Sequence, residues 1–189
     1  MPAQTTSIPG LLVLRWPCHG DERGFFRQTY QTAEIATVLQ REIYFAQGNH
    51  SRSHPRVLRG FHAEPWDKCV HVVRGTATCV VADIRPGSPT FGRTESFLVG
   101  DSPGEQIRLF ISEGLCNAVY CHTEVDYLNE VSREFDPSNR SGVIWNDPDL
   151  AVEWPDSEPI LSPVDAGLPS LRDFCAAREE RALGIREPA

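Results

Sequence analysis

Fifteen prolines and fourteen glycines are scattered along the whole chain and cut it into short segments. Proline removes a backbone donor and fixes φ, and glycine weakens helix and strand interiors alike, so the fold must be built from short elements joined by many turns. What lies between the breaks favours strands. Residues 68–85, KCVHVVRGTATCVVADIR, are rich in β-branched side chains, and Arg74-Gly75-Thr76 predicts a hairpin turn between two apolar runs. Gln106–Ile111, QIRLFI, alternates polar and apolar as a half-buried strand does, and Leu11–Arg15 and Val57–Arg59 read as further short strands. Only two stretches read as helix: Thr32–Leu39 with Thr32 as its N-cap, and Leu171–Leu183 behind a Ser170 cap. The pattern predicts an all-β fold with a few short helices, one of them near the C-terminus. Among such folds the jelly-roll (cupin-like) sandwich or barrel is the one whose interior holds a small ligand.

Composition narrows the class of function. A chain of 189 residues, 40% hydrophobic, has the size and apolar content of one domain, here taken as residues 1–189 with its core at about 11–155 and a C-terminal segment at 156–189. A net charge of -8 speaks against a general nucleic-acid binder, yet a few arginines in one pocket can still hold a phosphate. No apolar run reaches the roughly 18 residues of a spanning helix. Met1–Gly10 has no basic segment leading into an apolar stretch, so neither a membrane nor a secretion signal is expected and the reading is cytoplasmic. The six cysteines (Cys18, Cys69, Cys79, Cys116, Cys121, Cys175) contain no CxxC pair and are expected as reduced thiols, Cys69 and Cys79 packing as small hydrophobes.

The densest polar region is Gln47–Lys68, QGNHSRSHPRVLRGFHAEPWDK. A solvated loop is the plain reading of such a run. Against it, Arg59, Gly60 and His62 follow Val57-Leu58 at alternating spacing, with Gly60 a point where the strand can kink, and basic groups bordered by apolar residues suggest a pocket lining. A metal-binding site of this type would need a His-x-His pair and a third His. The chain offers His62-Ala63-Glu64, then His71, and Asn117 where the later His would stand, too few donors for a metal centre. No cofactor is expected. A histidine steered by a carboxylate, acting as general base without metal, is the chemistry left.

Seven segments carry a family resemblance: Asp21-Glu22-Arg23-Gly24-Phe25-Phe26; Gln47-Gly48-Asn49-His50-Ser51; Val57 to His62 (VLRGFH); Lys68 to Gly75 (KCVHVVRG); Asp83-Ile84-Arg85 through Ser88-Pro89-Thr90-Phe91-Gly92; Trp145-Asn146-Asp147-Pro148; and Leu161-Ser162-Pro163-Val164-Asp165. In this order they resemble the dTDP-4-dehydrorhamnose 3,5-epimerase family, metal-free jelly-roll enzymes acting on nucleotide-linked 4-keto sugars, over about Asp21 to Leu171. The resemblance implies epimerisation of a nucleotide-diphosphate-linked 4-keto-6-deoxy sugar. A proton at C3, C5 or both leaves next to the C4 carbonyl as an enolate forms. His62 would be the base, Asp165 from the C-terminal segment its carboxylate, and Lys68 the cation near the C4 oxygen. Arg59 would grip the pyrophosphate, with Gln47 and Asn49 on the nucleotide side. Arg23 and Phe26 would reach a neighbouring subunit's nucleotide in a homodimer.

The chain also departs from the family pattern. Gln28 stands where a Glu is usual, the loop between His62 and Lys68 is about four residues shorter than in the commonest form, and Asn117 replaces a His, as in the short-loop branch that HAEPWDK resembles. Counting back from Pro137, the family's proton-donating Tyr falls on Asn129, and the nearby aromatic position on Phe135. An amide cannot replace a phenol as acid. Tyr127, two residues earlier, shares a strand face with Asn129, and Tyr120 or water are the other substitutes. A missing acid implies inversion at one centre only, or a non-epimerising relative that binds a nucleotide sugar or uses the enolate otherwise. A metal-dependent jelly-roll oxygenase is the remaining alternative.

Overall fold

A computed structural model describes residues 3–182. The chain runs β1 (Ala3–Thr5), β2 (Leu11–Leu14), β3 (Cys18–Asp21), β4 (Gly24–Arg27), α1 (Thr32–Leu39), β5 (Gln47–Ser53), β6 (Leu58–His62) and β7 (Lys68–Arg74). It continues through β8 (Thr76–Asp83), β9 (Thr94–Gly100), β10 (Arg108–Ile111), β11 (Leu115–Cys121), β12 (Val125–Val131), α2 (Pro163–Ala166) and α3 (Leu171–Ala182). A six-stranded sheet in the order β1-β2-β10-β7-β12-β5 faces a four-stranded sheet in the order β6-β11-β8-β9, while β3 and β4 form a separate ribbon. This is a jelly-roll sandwich of antiparallel strands, not a closed barrel.

Each sheet is covered on both faces. Val70, Val72, Leu109 and Ile111 from the larger sheet meet Ala77, Cys79, Val81 and Val119 from the smaller one between the layers. The outer face of the smaller sheet buries Leu58, Phe61, Val80 and Ala118 under Val143, Leu150, Leu171 and Phe174 of the C-terminal third. The outer face of the larger sheet buries Leu12, Leu14, Cys69 and Phe110 under Ile35 of α1. Each large apolar side chain so buried contributes roughly 1.5–3 kcal/mol. Double coverage also explains why β2, β10 and β11 are buried along their whole length.

Several expectations are corrected here. Arg74-Gly75-Thr76 does not close a hairpin: β7 pairs with β10 and β12, β8 with β11 and β9, so the turn carries the chain from one sheet to the other. Gly75 has φ +85°, and a Cβ there would lie 2.0 Å from the Glu124 carbonyl oxygen, so only glycine makes this corner. QIRLFI is not half-exposed. Its strand begins at Arg108, whose side chain is buried because α1 and the segment before it cover that face. Strand β2 stops at Leu14, and the strand expected at Val57–Arg59 runs from Leu58 to His62, Val57 making an isolated bridge to Ile160. The N-cap of α1 is Gln31, not Thr32, and it offers no side-chain bond. Ser170 does cap α3: its Oγ accepts from the Asp173 N–H at 3.1 Å, while Asp147 Oδ2 accepts from Leu171 N–H at 2.8 Å. Leu183, the expected end of that helix, lies outside the described residues. All six cysteines are free, Cys69 and Cys79 fully buried. Among the described residues no helix is long and apolar enough to cross a membrane.

Candidate active site

The inside of the sandwich opens between β5, β6, β11 and β12 into a cavity of about 250 Å³. A local break in β6 decides what faces it. Asn117 of β11 pairs with His62 and Val119 with Arg59, so three steps along β6 span two along β11. The extra residue is accommodated at Gly60, φ +120°, where a Cβ would lie 2.5 Å from the Asn117 oxygen and 2.7 Å from Ala118 Cα. Regular alternation would send Arg59 and His62 to opposite faces. The bulge turns both into the cavity and turns Leu58 and Phe61 together into the outer core.

His62 Nε2 lies 2.6 Å from Asp165 Oδ1. Asp165 sits in the single turn of α2, where Pro163 opens the helix and Ser162 caps it. The Ser162 hydroxyl donates to Asp165 Oδ2 at 2.8 Å and accepts from the Asp165 N–H at 3.1 Å, so both carboxylate oxygens are engaged and the imidazole is held in one orientation. Burial alone would raise the Asp165 carboxyl. The His62 hydrogen bond and charge, with the Ser162 bond, outweigh it and hold the group below its ordinary value. The imidazole itself is open to the cavity, and its Nδ1 has no protein partner among the described residues.

Lys68, the first residue of β7, is only 4% exposed. It is also the sole lysine of the chain. Its ammonium donates to Glu64 Oε2 at 2.5 Å, to Asn117 Oδ1 at 3.0 Å and to the His62 backbone carbonyl at 3.2 Å. Two acceptors from the stretch just before it and one from the distant strand β11 therefore converge on one cation.

Across from His62, on the other sheet, β12 turns Tyr127, Asn129 and Val131 into the cavity, two residues apart as strand geometry requires. Burial first, then Cys79, pushes the Tyr127 phenol well above its usual value and Asn117 only partly opposes this, so it stays protonated. Asn129 Oδ1 is buried without a partner. Arg59 donates through Nε to Ser53 Oγ at 2.9 Å, which among the described residues leaves the ends of its guanidinium fork free for an anion. Asn49 lines the cavity. Gln47 stands beside it, donating to Asn49 Oδ1 at 2.6 Å and accepting from the Phe135 N–H at 2.8 Å.

The structure thus brings together His62, Asp165, Lys68, Tyr127, Asn129, Arg59, Asn49 and Asn117. It does not bring Arg23, Phe26 or Gln28 to this cavity. Arg23 is paired with Asp21 on the β3–β4 ribbon, where Phe25 and Phe26 are 64% and 74% exposed, and Gln28 follows β4 half-buried. Sequence reasoning missed Glu64 as a lysine partner and overlooked Ser51, Ser53 and Trp66 in the lining. For the serines a signal existed: Asn49, Ser51 and Ser53 form a period-two stripe on β5. Glu64 and Trp66 lie in a loop with no periodicity to read. Cysteine nucleophiles are disfavoured, since burial pushes the Cys79 and Cys116 thiols up to about 12. Among the described residues no group of three or more His, Cys, Asp or Glu could hold a metal ion.

The family profile described as dTDP-4-dehydrorhamnose 3,5-epimerase matches residues 5–173. The enzyme of that name from Salmonella typhimurium is 36% identical over 172 residues, 88% of this chain and 93% of that protein. The structure of the rmlC epimerase of Mycobacterium tuberculosis superposes with a TM-score of 0.88 at 31% identity, covering 99% of this chain and all of that one. ChmJ, a 3'-monoepimerase from Streptomyces bikiniensis solved with dTDP-quinovose, superposes with a TM-score of 0.82 at 30% identity, covering 95% of this chain and 90% of its own.

Proposed function

The chain belongs to the dTDP-4-dehydrorhamnose 3,5-epimerase family, and from that premise we propose how its own residues epimerise a dTDP-linked 4-keto-6-deoxyhexose. His62 takes a proton from carbon next to the C4 ketone, the electron pair moves onto the C4 oxygen as an enolate, and Lys68 stabilises that oxygen. Tyr127 returns a proton to the opposite face of the same carbon. Inversion needs a base and an acid on opposite sides of the sugar ring. A sandwich supplies this naturally, because His62 comes from the four-stranded sheet and Tyr127 from the six-stranded one. Asp165 holds the imidazole and favours the imidazolium that forms. Arg59 meets the pyrophosphate. A cavity of about 250 Å³ is smaller than the roughly 300–1,000 Å³ that buries a drug-sized ligand, so the nucleotide extends outward past Arg59, Asn49 and Gln47.

The observation that carries this reading is the His62–Asp165 pair opening onto the cavity that Lys68 and Tyr127 share. Asn129, where the resemblance places the family's tyrosine, lies beside Tyr127 on the same face of β12, and of the two Tyr127 is the one with an acidic proton to give. A phenol in the cavity favours epimerisation over a non-epimerising relative that only binds a nucleotide sugar. The exposed Phe25 and Phe26 beside Arg23 suit a second copy of the chain, whose nucleotide they would contact in a homodimer. Six free thiols fit a reducing, cytoplasmic setting.

The test is to incubate the protein with dTDP-4-keto-6-deoxyglucose in D2O and follow C3 and C5 by NMR. Deuterium entering one or both positions with inversion is expected, and the same spectrum distinguishes a single-centre from a two-centre enzyme. No uptake at either carbon overturns the reading.

A further inference from the structure

An ammonium carries three N–H donors, and all three of Lys68 are taken by the protein: Glu64 Oε2 at 2.5 Å, Asn117 Oδ1 at 3.0 Å and the His62 carbonyl at 3.2 Å. With the side chain 4% exposed, water has little access to any of them. A ketone oxygen entering the cavity can bond this ammonium only by replacing one of the three acceptors. The bond to Glu64 is charge-assisted and the shortest, and the bond to the backbone carbonyl is the longest.

We propose that Glu64 is a positioning residue for Lys68: it stays bound throughout the reaction, keeps the buried ammonium charged and aimed, and leaves the donor now spent on the His62 carbonyl to the sugar's C4 oxygen. The proposal rests on the reading of Lys68 as the enolate's partner. The surroundings leave this task to Glu64. Around Lys68 stand His62 from β6, Cys79 from β8, Cys116 and Asn117 from β11, and Tyr127 from β12. Both thiols and the phenol are held neutral by burial. Glu64 is thus the one carboxylate bonded to the ammonium among the described residues. It is ionised itself: burial would raise its carboxyl, but Lys68, His62 and the hydrogen bond from Lys68 together hold it below its ordinary value. A buried ammonium stripped of such a partner is destabilised in its charged form. A neutral amide at position 64 could still accept a hydrogen bond, but it could not hold the proton.

The sole lysine makes the test direct, because labelling with lysine carrying ¹⁵N at Nζ yields one side-chain resonance. In Glu64→Gln the ammonium is expected to lose its proton about one to three pH units lower than in the wild type, the usual effect of removing an opposite charge at this range. The alkaline limb of kcat should move down in parallel while KM for the sugar nucleotide stays within about threefold, and Glu64→Asp should restore the limb. Identical lysine titrations in wild type and Glu64→Gln overturn the proposal. So does a kcat lowered equally at every pH, the mark of a merely structural residue. Should Glu64→Gln not fold, the wild-type resonance is followed on acidification through the carboxylate range: it must shift as Glu64 protonates, and a signal that stays put overturns the proposal. If the wild type exchanges no deuterium into the sugar, the epimerase reading falls, while the ¹⁵N titration still decides the link between Glu64 and Lys68.

Discussion

Gly60→Ala tests the feature on which the whole site depends. At φ +120° an L side chain enters a region open essentially to glycine alone, which costs about 1–3 kcal/mol. The new methyl would also meet the Asn117 oxygen at 2.5 Å and Ala118 Cα at 2.7 Å, both on the buried strand β11 and unable to swing aside, and overpacking of this kind costs about 1–3 kcal/mol more. A total of about 2–6 kcal/mol is a large share of the roughly 5–15 kcal/mol that holds a domain folded. At about 2–4 °C per kcal/mol for a chain of this size, a cost of about 4 kcal/mol lowers the midpoint by roughly 8–16 °C in scanning calorimetry. The chain can relieve the clash only by smoothing the bulge, which swings Arg59 or His62 out of the cavity. Deuterium exchange into the sugar, measured well below the new midpoint, should then drop by on the order of 100-fold, the penalty of misplacing a catalytic group by about 1 Å. A midpoint within about 2 °C of wild type refutes the steric half of the argument. A lowered midpoint with an unchanged exchange rate refutes the claim that the bulge positions the site.

Other outcomes follow from the same geometry. His62→Ala should abolish exchange while dTDP binding by calorimetry stays within a few-fold, and Asp165→Asn should be damaging but leave measurable turnover; exchange at the wild-type rate in His62→Ala would show that the base lies elsewhere. Tyr127→Phe should lower inversion by about 100- to 10,000-fold, the usual worth of a general acid, whereas Asn129→Ala should cost far less; the reverse order in a stopped assay of product stereochemistry would return the acid role to position 129. Asp165, Glu64 and Asp83 are carboxyls held below their ordinary values by His62, Lys68 and Arg85 against the cost of burial. A carboxyl whose folded value is depressed contributes stability above its unfolded value of about 4 and loses that contribution as pH falls through the folded value. The unfolding midpoint should therefore fall on acidification, first gently below about pH 6.5 as the unfolded chain protonates His71, which burial and then Arg108 push down to about 4 in the fold, and steeply below about pH 4, and a midpoint that rises on acidification contradicts the pairings.

How far the site was legible in the residues depends on whether the signal was local. The Asn49, Ser51, Ser53 stripe and the Tyr127, Asn129 pair obey strand periodicity, and Ser162-Pro163-Val164-Asp165 announces a capped turn that presents a carboxylate. Between Tyr127 and Asn129 the residues alone did not choose, since the resemblance puts the family's tyrosine at Asn129 while both side chains fall on the cavity face of β12. The corner at Gly75 was misread for a related reason. A glycine at positive φ serves a hairpin and a crossing between sheets equally well, and only the pairing of β7 with β10 and β12 tells them apart.

By itself the order of residues determined that this chain makes short strands with few helices, that its cysteines stay apart, and which segments resemble a family of epimerases, because propensity, turn chemistry and motif are properties of neighbours along the chain. Only the tertiary structure decided that Arg59 and His62 share a face across the Gly60 bulge, that Asp165 reaches His62 over 103 positions, and that Glu64, Asn117 and the His62 carbonyl divide the donors of a single lysine. Asp165 and Asn117 arrive from segments far along the chain, and the bulge that aims Arg59 and His62 is defined by the pairing of β6 with β11, so the site exists only once distant segments are packed together.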